Sequence, residues 1–381
     1  MGTFFAVTAP GLDQITADEI RQLGLAPEIE PGGVSFKSDD DGMYRANLYL
    51  RTASRVLARV GQFFYATTFS DLREKSGRLP WEKFILPGQP ISIRVTCHKS
   101  KLIHSDAVAE RIAGSIYDRL GIESPVTKKS ADEAQDRIAD KAEENIQLII
   151  VRLVNDQVMV SMDSSGELLH RRGYRLALAK APLRETLAAG VILASGWDAR
   201  SPLIDPFCGS GTIPIEAAML AAGIPPGINR NFAFMKWPGF SKTNWDTILA
   251  QVPEQREIDF PIIASDRDAG AVKIAYENAK RAGVEKNIDF HCQAVSSINP
   301  PEQKGWLITN PPYGVRVSAG RDLRNLYSQF GNVLKLNCQG WHVGILCSDP
   351  FLLGHTALKL DTTKSLINGG IGVRLGTGIV G

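Results

Sequence analysis

From about residue 180 onward, short apolar segments alternate with longer segments of helical periodicity. "SPLIDPFC", "FPIIASD" and "GWLITNPP" have the apolar character of buried strands. Strands joined by helices of about 10–15 residues are typical of right-handed crossovers in a mainly parallel sheet. The Asn-Gly-Gly turn at residues 368–370 predicts that the last two strands form an antiparallel hairpin. We therefore predict a doubly wound α/β fold for the C-terminal half.

The residues before about 165 have a different rhythm, in which short strands and helices are interspersed. This mixture predicts an α+β region, with one long helix over 41–63 and a hairpin that turns at Asn155-Asp156. The highly charged segment 130–145 is expected to be a solvated helix or loop. A chain of 381 residues is more typical of two domains than of one, and the change of rhythm places the boundary near residue 165.

The composition excludes several classes of protein. No apolar run reaches the ~20 residues that a membrane helix needs, and the N-terminus lacks the basic region of a signal peptide. The five cysteines are odd in number and include no C-x-x-C pair, so we expect reduced thiols in a cytoplasmic protein, without a disulfide framework or a metal site. A net charge of +2 leaves any nucleic-acid binding to local basic patches.

Two segments at predicted strand ends combine acidic residues with glycine. In "LIDPFCGSGT", Asp205 ends the strand, and Gly209 and Gly211 bracket a tight turn that a ligand can approach closely. The turn lacks the spacing of a phosphate loop, and its acidic residue favours a ligand with an ammonium group. In "IIASDRD", Asp266 stands where doubly wound folds bind ribose hydroxyls, and Asp268 is expected to cap the next helix.

A third segment, "WLITNPPYGVR", ends a strand with Asn310, two prolines and Tyr313. Proline has no N–H for the sheet and fixes its own φ, so the backbone after Asn310 is stiff. Taken alone, the segment is more typical of a strand followed by a simple turn. Together, the three segments predict a ligand site beyond the carboxyl ends of the parallel strands.

"DPFCGSGT", "SDRD" and "NPPYG" resemble the motifs of class I S-adenosylmethionine-dependent methyltransferases that act on exocyclic amino groups. "HRRGYRLALAKAPLRETLAAGVI", "RNFAFMKWPGFSKTNW" and "LYSQFGNVLKLNCQGW" resemble the RNA guanine-N2 methyltransferases that carry a THUMP domain. The first half, above all "RVTCHKSKLIHSDAVAERI", resembles that domain and its ferredoxin-like lead-in. The resemblance implies a ferredoxin-like subdomain over 1–60, a THUMP RNA-binding domain over 61–165 and a Rossmann-like methyltransferase domain over 166–381.

The resemblance implies methyl transfer from S-adenosyl-L-methionine to the exocyclic N2 of a guanine, with 23S ribosomal RNA preferred and transfer RNA as the alternative. The expected partner is RNA, without a membrane or a metal. Two rival functions are DNA adenine-N6 methylation and RNA binding without catalysis. The THUMP-like half argues against the first rival, and the complete set of motif residues argues against the second.

The resemblance also assigns the residues of the site. Its catalytic residues are Asn310, Pro311, Pro312 and Tyr313: the Asn310 amide oxygen and the Pro311 carbonyl accept the amino N–H groups, while Tyr313 stacks on the base. Asp205 and the turn 207–211 are expected to hold the methionine part of the cofactor, and Asp266 its ribose. The full set of predicted cofactor contacts is Pro182, Leu183, Asp205, Pro206, Phe207, Cys208, Gly209, Ser210, Gly211, Thr212, Asp266, Arg267, Ala294 and Asn310. Many such enzymes place an acid after the third strand to hold adenine, whereas "HCQAVSSI" has none, so we expect a backbone contact near Ala294.

Basic residues in both halves are candidates for RNA contacts, although a solvated surface is the plainer interpretation. These candidates are Lys99, Lys101, His104, Arg171, Arg172, Arg175 and Arg316. Four aromatic residues of the insertion 224–258 either stack on bases or pack in a core: Phe232, Phe234, Trp237 and Trp245. His291 and Cys292 lie in a predicted strand and are expected in the core.

Overall fold

The computed structural model describes residues 1–127, 145–175, 183–313 and 322–381. The predicted charged segment falls outside the described residues, apart from its last residue. Within the described ranges the chain forms two sheets, one from each half of the sequence.

The N-terminal sheet has eight strands among the described residues, in the order β2-β3-β1-β4-β8-β7-β6, with β5 paired to β8. Its strands are β1 (Gly2–Thr8), β2 (Pro27–Glu30), β3 (Gly33–Ser38), β4 (Ala53–Arg59), β5 (Phe64–Tyr65), β6 (Ile91–His98), β7 (Gln147–Val154) and β8 (Gln157–Asp163). The helices of this half are α1 (Asp13–Gln22), α2 (Asp40–Tyr49), α3 (Phe69–Gly77) and α4 (Ser105–Leu120). Because β4 pairs with β8, the predicted ferredoxin-like and THUMP regions share one continuous sheet.

Turn chemistry explains several of these boundaries. The predicted hairpin of β7 and β8 is confirmed, and it turns at Asn155 and Asp156 with φ values of 52° and 64°. Asparagine and aspartate tolerate this left-handed conformation better than most residues. α4 ends at Gly121, whose φ of 75° gives the helix its left-handed cap.

The predicted long helix over 41–63 is wrong in its second half. α2 ends at Tyr49, and residues 53–59 form β4 between β1 and β8. Val56 and Ala58 of β4 are buried in the core, and both edges of the strand are hydrogen-bonded to neighbours. The local sequence shows only the helical propensity of the segment. Pairing with the neighbouring strands overrides that propensity.

The C-terminal sheet has seven strands among the described residues, in the order β11-β10-β9-β12-β13-β15-β14. They are β9 (Leu203–Asp205), β10 (Ile262–Asp266), β11 (Asp289–Cys292), β12 (Trp306–Thr309), β13 (His342–Cys347), β14 (Asp361–Asn368) and β15 (Ile371–Ile379). The associated helices are α5 (Glu185–Ser195), α6 (Thr212–Ala221), α7 (Lys242–Ala250), α8 (Ala269–Ala282), α9 (Arg324–Asn337) and α10 (Pro350–His355).

The strand directions confirm the predicted fold class. β9 to β13 run parallel, while β15 is antiparallel to both β13 and β14. The chain passes outward from β9 to β11 and then returns to place β12 on the other side of β9. The order of the strands therefore reverses between β9 and β12, which is where doubly wound sheets bind their ligands.

Both faces of this sheet are buried. Leu203 and Ala264 belong to one apolar core, whereas Ile204 and Leu307 belong to the core on the other side. Alternate residues of a strand point to opposite faces, so strands covered on both sides read as continuous apolar runs.

The aromatic insertion packs into the N-terminal half. Phe232, Phe234, Trp237 and Trp245 are all buried in the same core as the N-terminal sheet. Phe234 stacks on Tyr44 with ring centroids 4.5 Å apart, and Trp237 donates a hydrogen bond to the side chain of Gln147. The packing interpretation is confirmed, and base stacking by these four residues is excluded.

The expectation that His291 and Cys292 lie in the core is wrong. Both side chains are exposed, because β11 is the edge strand of the C-terminal sheet. Separately, none of the helices in the described ranges has the length and apolarity needed to cross a membrane.

Candidate active site

Asp205 lies at the end of β9, beside the point where the strand order reverses. Its side chain is buried and accepts hydrogen bonds from the Thr309 hydroxyl at 2.6 Å and the Phe207 N–H at 3.2 Å. Burial raises the pKa of Asp205 to about 7, with a further contribution from the charge of Asp266. The carboxyl group therefore joins the ends of β9 and β12.

The glycine-rich turn after Asp205 is held against β10. Gly209 donates its N–H to the Asp266 carboxylate at 3.0 Å, and the Cys208 N–H donates to the Ser265 carbonyl at 3.0 Å. Gly211 has a φ of 84°, and a Cβ there would stand 2.9 Å from the Ala275 side chain. At Gly209, by contrast, a Cβ would meet nothing within 4 Å, so this part of the backbone is open to a ligand.

The other residues of the predicted cofactor turn each have a defined position in the fold. Pro206 is buried, and Phe207 packs edge-on against Phe330. Burial raises the pKa of the Cys208 thiol, which keeps the thiol protonated. The Ser210 carbonyl accepts a hydrogen bond from Asn278 at 2.9 Å, and Thr212 begins α6.

Asp266 and Asp268 divide their roles in the structure. The Asp266 carboxylate is partly exposed and also accepts the Asp268 N–H at 3.0 Å. Asp268 caps α8 by accepting the Gly270 N–H at 2.8 Å, as predicted. Asp266 is left at the open end of β10, next to the glycine-rich turn.

The segment after β12 is fixed at several points. The Pro312 carbonyl accepts a hydrogen bond from the Tyr327 hydroxyl at 3.2 Å, and Asn368 donates to the Tyr313 hydroxyl at 2.9 Å. Burial raises the pKa of Tyr313, so its hydroxyl stays neutral. The Asn310 side-chain oxygen is buried, and it has no hydrogen-bond partner within the described part of the chain.

An unpaired buried acceptor of this kind is costly, at about 1–3 kcal/mol. A ligand that brings an N–H group to the Asn310 oxygen recovers that free energy. The three loops thus meet through the hydrogen bonds of Asp205 with Thr309 and of Asp266 with Gly209. The segment after β12 contributes the Asn310 side-chain oxygen, an acceptor without a partner among the described residues.

Sequence reasoning did not identify three residues that organise this site: Thr309, Tyr327 and Asn368. Thr309 directly precedes Asn310, and that position was the available signal. Tyr327 lies on α9 and Asn368 ends β14, so only the folded chain brings them to the segment after β12.

Two of the predicted RNA-contacting arginines are corrected by the structure. Arg172 is buried, forms an ion pair with Glu216 at 3.5 Å and donates to the Arg51 carbonyl at 2.5 Å. Arg175 pairs with Glu185 at 3.5 Å and donates to the Leu183 carbonyl at 3.0 Å. Their guanidinium groups are engaged inside the protein and do not face a phosphate, so these two assignments are wrong.

The other predicted RNA contacts remain predictions or lie outside the described ranges. Lys99, Lys101 and His104 are exposed between β6 and α4. Arg171 is partly exposed and forms an ion pair with Glu167 at 3.3 Å. Arg316 lies outside the described residues.

The remaining predicted cofactor contacts also stay predictions or lie outside the described residues. Pro182 lies outside the described residues, whereas Leu183 is buried and its carbonyl binds Arg175. Arg267 and Ala294 are exposed at the ends of β10 and β11. Within the described ranges, no cluster of three or more histidine, cysteine or acidic residues could hold a metal ion.

The strand order, the antiparallel seventh strand and the three strand-end loops define a class I methyltransferase fold. A structure described as "SMU.472, a putative methyltransferase complexed with SAH" superposes with a TM-score of 0.88 and 29% identity, covering 100% of this chain and 98% of that one. The methyl donor of this class is S-adenosylmethionine. The open backbone at Gly209 and the partly exposed Asp266 fit that cofactor.

The chain belongs to the RMKL-like methyltransferase domain family, designated UPF0020, whose model matches residues 172–375. An RlmL ferredoxin-like domain matches residues 3–57, and a THUMP domain matches 66–163. The predicted resemblance is thereby confirmed.

Two curated relatives match nearly the whole chain. The "Ribosomal RNA large subunit methyltransferase K/L" of Syntrophotalea carbinolica is 34% identical over 98% of this chain, but the match covers only 53% of that protein. The "Putative RNA methyltransferase YpsC" of Bacillus subtilis is 33% identical, over 96% of this chain and 93% of that protein. The chain thus spans about half the length of the first relative and nearly all of the second.

Proposed function

We propose that the protein methylates the exocyclic N2 of a guanine in RNA, with large-subunit ribosomal RNA as its substrate. The observation that carries the proposal is the Asn310 side-chain oxygen directly after β12 and next to two prolines, which is buried and has no hydrogen-bond partner among the described residues. An acceptor in this place suits an amino group that must be held by its N–H bonds.

The chemistry needs a positioned amino nitrogen more than it needs a base. S-adenosylmethionine, when bound, supplies an electrophilic methyl group: the new N–C bond forms as the C–S bond breaks with its electron pair on sulfur, and the surplus proton leaves to water. The guanine amino group is planar and delocalised. By accepting its two N–H bonds, the Asn310 oxygen and the Pro311 carbonyl hold the nitrogen so that its lone pair is directed out of the ring plane.

The remaining residues hold the base and the cofactor. Tyr313 stacks on the guanine, and its ring is kept in place by the hydrogen bond from Asn368. Asp205 and the glycine-rich turn take the methionine end of the cofactor, while the partly exposed Asp266 accepts the ribose hydroxyls. The target guanine must leave its helix or loop to reach this pocket.

The N-terminal half supports RNA as the substrate. It matches a THUMP domain over residues 66–163, and it presents exposed cationic residues at Lys99 and Lys101. Preference for large-subunit ribosomal RNA over transfer RNA rests on the similarity to a large-subunit enzyme. An RNA substrate of this kind places the protein in the cytoplasm.

The test is methyl transfer from labelled S-adenosylmethionine to separated ribosomal and transfer RNA, both taken from a strain that lacks the gene. We expect label in the large-subunit RNA and N2-methylguanosine in its nucleoside digest. Label in transfer RNA would identify transfer RNA as the substrate instead of ribosomal RNA and would leave the proposed chemistry unchanged. In a parallel assay with DNA of the same strain, RNase-resistant label recovered as methyladenosine would establish the DNA rival. Cofactor binding without transfer to any of these would contradict the proposal.

A further inference from the structure

Two exposed aromatic side chains stand together on the N-terminal half. Phe63 and Tyr65 are 51% and 56% exposed, and their rings meet edge-on with centroids 6.2 Å apart. Phe63 directly precedes β5, and Tyr65 is the second of its two residues. The contact between the two rings shows that both stand on the same side of the strand. Large aromatic rings are usually buried, so an exposed pair in mutual contact calls for an occupant.

The strand that carries this aromatic pair is joined to the basic loop of residues 98–101. Ala66 donates its N–H to the Asp156 carbonyl at 3.0 Å, and the Asp156 carboxylate accepts the Lys101 N–H at 2.6 Å. The Ser100 hydroxyl accepts the Asp156 N–H at 3.0 Å. The β7–β8 turn therefore fixes the aromatic pair and the basic loop relative to each other.

The distance between these two features is short. β5, β8, β7 and β6 are successive neighbours in the sheet, so three spacings of ~5 Å separate Tyr65 from His98. Lys99 and Lys101 are exposed on the loop beyond His98. Of the acidic groups nearby, Asp156 accepts the backbone N–H of Lys101 at 2.6 Å, and Asp71 pairs with Lys75 at 2.8 Å.

We propose that Phe63 and Tyr65 form a stacking platform for unpaired bases of a single-stranded RNA segment, whose phosphates are held by Lys99 and Lys101. Base stacking on aromatic rings next to cationic side chains is the way in which single-stranded nucleic acids are bound without duplex recognition. The inference rests on the proposed RNA substrate and identifies the part of it that the N-terminal half captures. A protein partner is disfavoured because the exposed aromatic pair is small and two exposed lysines lie beyond His98, ~15 Å across the same sheet.

Binding of fluorescein-labelled RNA, followed by anisotropy with the full-length protein, tests the platform. The probe is a single strand of about 12 nucleotides, compared with a duplex of the same sequence. Substitution of both aromatics, Phe63→Ala with Tyr65→Ala, is expected to weaken single-strand binding at least about tenfold and duplex binding much less. Tyr65→Trp retains stacking and is expected to bind as the wild type does. Tyr117→Ala is the matched control, because Tyr117 is 49% exposed on α4.

Salt titrations separate the two components of the platform. The double aromatic variant should keep the wild-type dependence of affinity on salt, because stacking releases no counterions. Lys99→Ala with Lys101→Ala should lower that dependence by about two units of slope. An aromatic variant with unchanged single-strand affinity would overturn the inference.

Methyl transfer distinguishes failure of the platform from failure of the proposed function. With the RNA substrate, the double aromatic variant should raise KM about tenfold and leave kcat unchanged. If the wild type methylates RNA and the variant has the same KM and affinity, the platform is wrong and the function stands. If no RNA is methylated but single-strand binding still depends on the aromatic pair, the proposed function fails and the platform stands.

Discussion

Asp205 and Asn310 show what single residues contribute to the site. Both were identified from the sequence, because each stands at a strand end and three such segments occur together at the expected ligand-binding edge of the sheet. Their environments were not predictable in this way. Thr309 donates to Asp205, and the Asn310 oxygen is buried without a described partner; both facts depend on the packing of β9 against β12.

The pKa of Asp205 makes cofactor affinity depend on pH. Burial raises this pKa to about 7, from about 3.9 in an unfolded chain, so the free protein retains a proton on Asp205 below neutrality. A cationic cofactor group beside Asp205 favours the carboxylate and displaces that proton. The affinity for S-adenosylmethionine should therefore rise between about pH 6 and pH 8. Calorimetry in buffers of different ionisation enthalpy would measure both the affinity and the proton released.

Asp205→Asn provides the comparison for this titration. Its affinity for the cofactor should be lower than that of the wild type at pH 8 and nearly independent of pH over the same range. A wild-type pH dependence in this variant would assign the titration to another group.

At the scale of elements, prediction from sequence succeeded where a segment's own chemistry decides its structure. The β7–β8 turn and the alternation of β9 to β13 with helices are of this type. It failed for residues 50–63, where pairing with β1 and β8 converts a helical pattern into a strand. It also failed for Arg172 and Arg175, because only the folded chain brings them to their acidic partners, Glu216 on α6 and Glu185 on α5.

Arg175 ties together the elements that flank the cofactor loop. It donates to the Leu183 carbonyl before α5 and to the Thr212 hydroxyl at the start of α6, and it pairs with the buried Glu185. Arg175→Ala should loosen both helix starts and weaken S-adenosylmethionine binding about tenfold. Isothermal titration would measure the loss.

The matched control for this prediction is Arg171→Ala, at a partly exposed arginine that pairs with Glu167. This variant should bind the cofactor as the wild type does. Equal losses in the two variants would show that Arg175 has no specific role in holding the loop.

At the scale of the whole molecule, the two halves share buried structure. The insertion ahead of β10 completes the N-terminal core, and Arg51 donates to the Ile224 carbonyl at 2.6 Å. Arg172 of the C-terminal half also reaches the N-terminal half through its bond to the Arg51 carbonyl, and its ion pair with Glu216 anchors it to α6. A sequence divided into domains gives no indication of such sharing, since it depends on contacts between distant residues.

Glu216→Ala tests the buried ion pair that anchors Arg172. Removal of this carboxylate leaves the Arg172 guanidinium buried without its counter-charge, which should lower the free energy of unfolding by about 3–5 kcal/mol. Urea denaturation followed by tryptophan fluorescence would measure the change.

Asp246→Ala is the corresponding exposed control, because Asp246 pairs with Lys242 at 2.7 Å on the surface of α7. Its effect should be below about 1 kcal/mol. If Glu216→Ala has an effect as small as that of the control, the buried ion pair that anchors Arg172 does not stabilise the protein.

The measurement that tests the account most directly is single-turnover methyl transfer by Asn310→Ala, made alongside its affinity for S-adenosylmethionine. Loss of an acceptor that engages the amino group in the transition state should slow transfer at least about 100-fold, while cofactor affinity changes little. Asn368→Ala, which removes only the hydrogen bond to Tyr313, should have a much smaller effect. A near wild-type rate in Asn310→Ala would contradict the central role given to its side-chain oxygen.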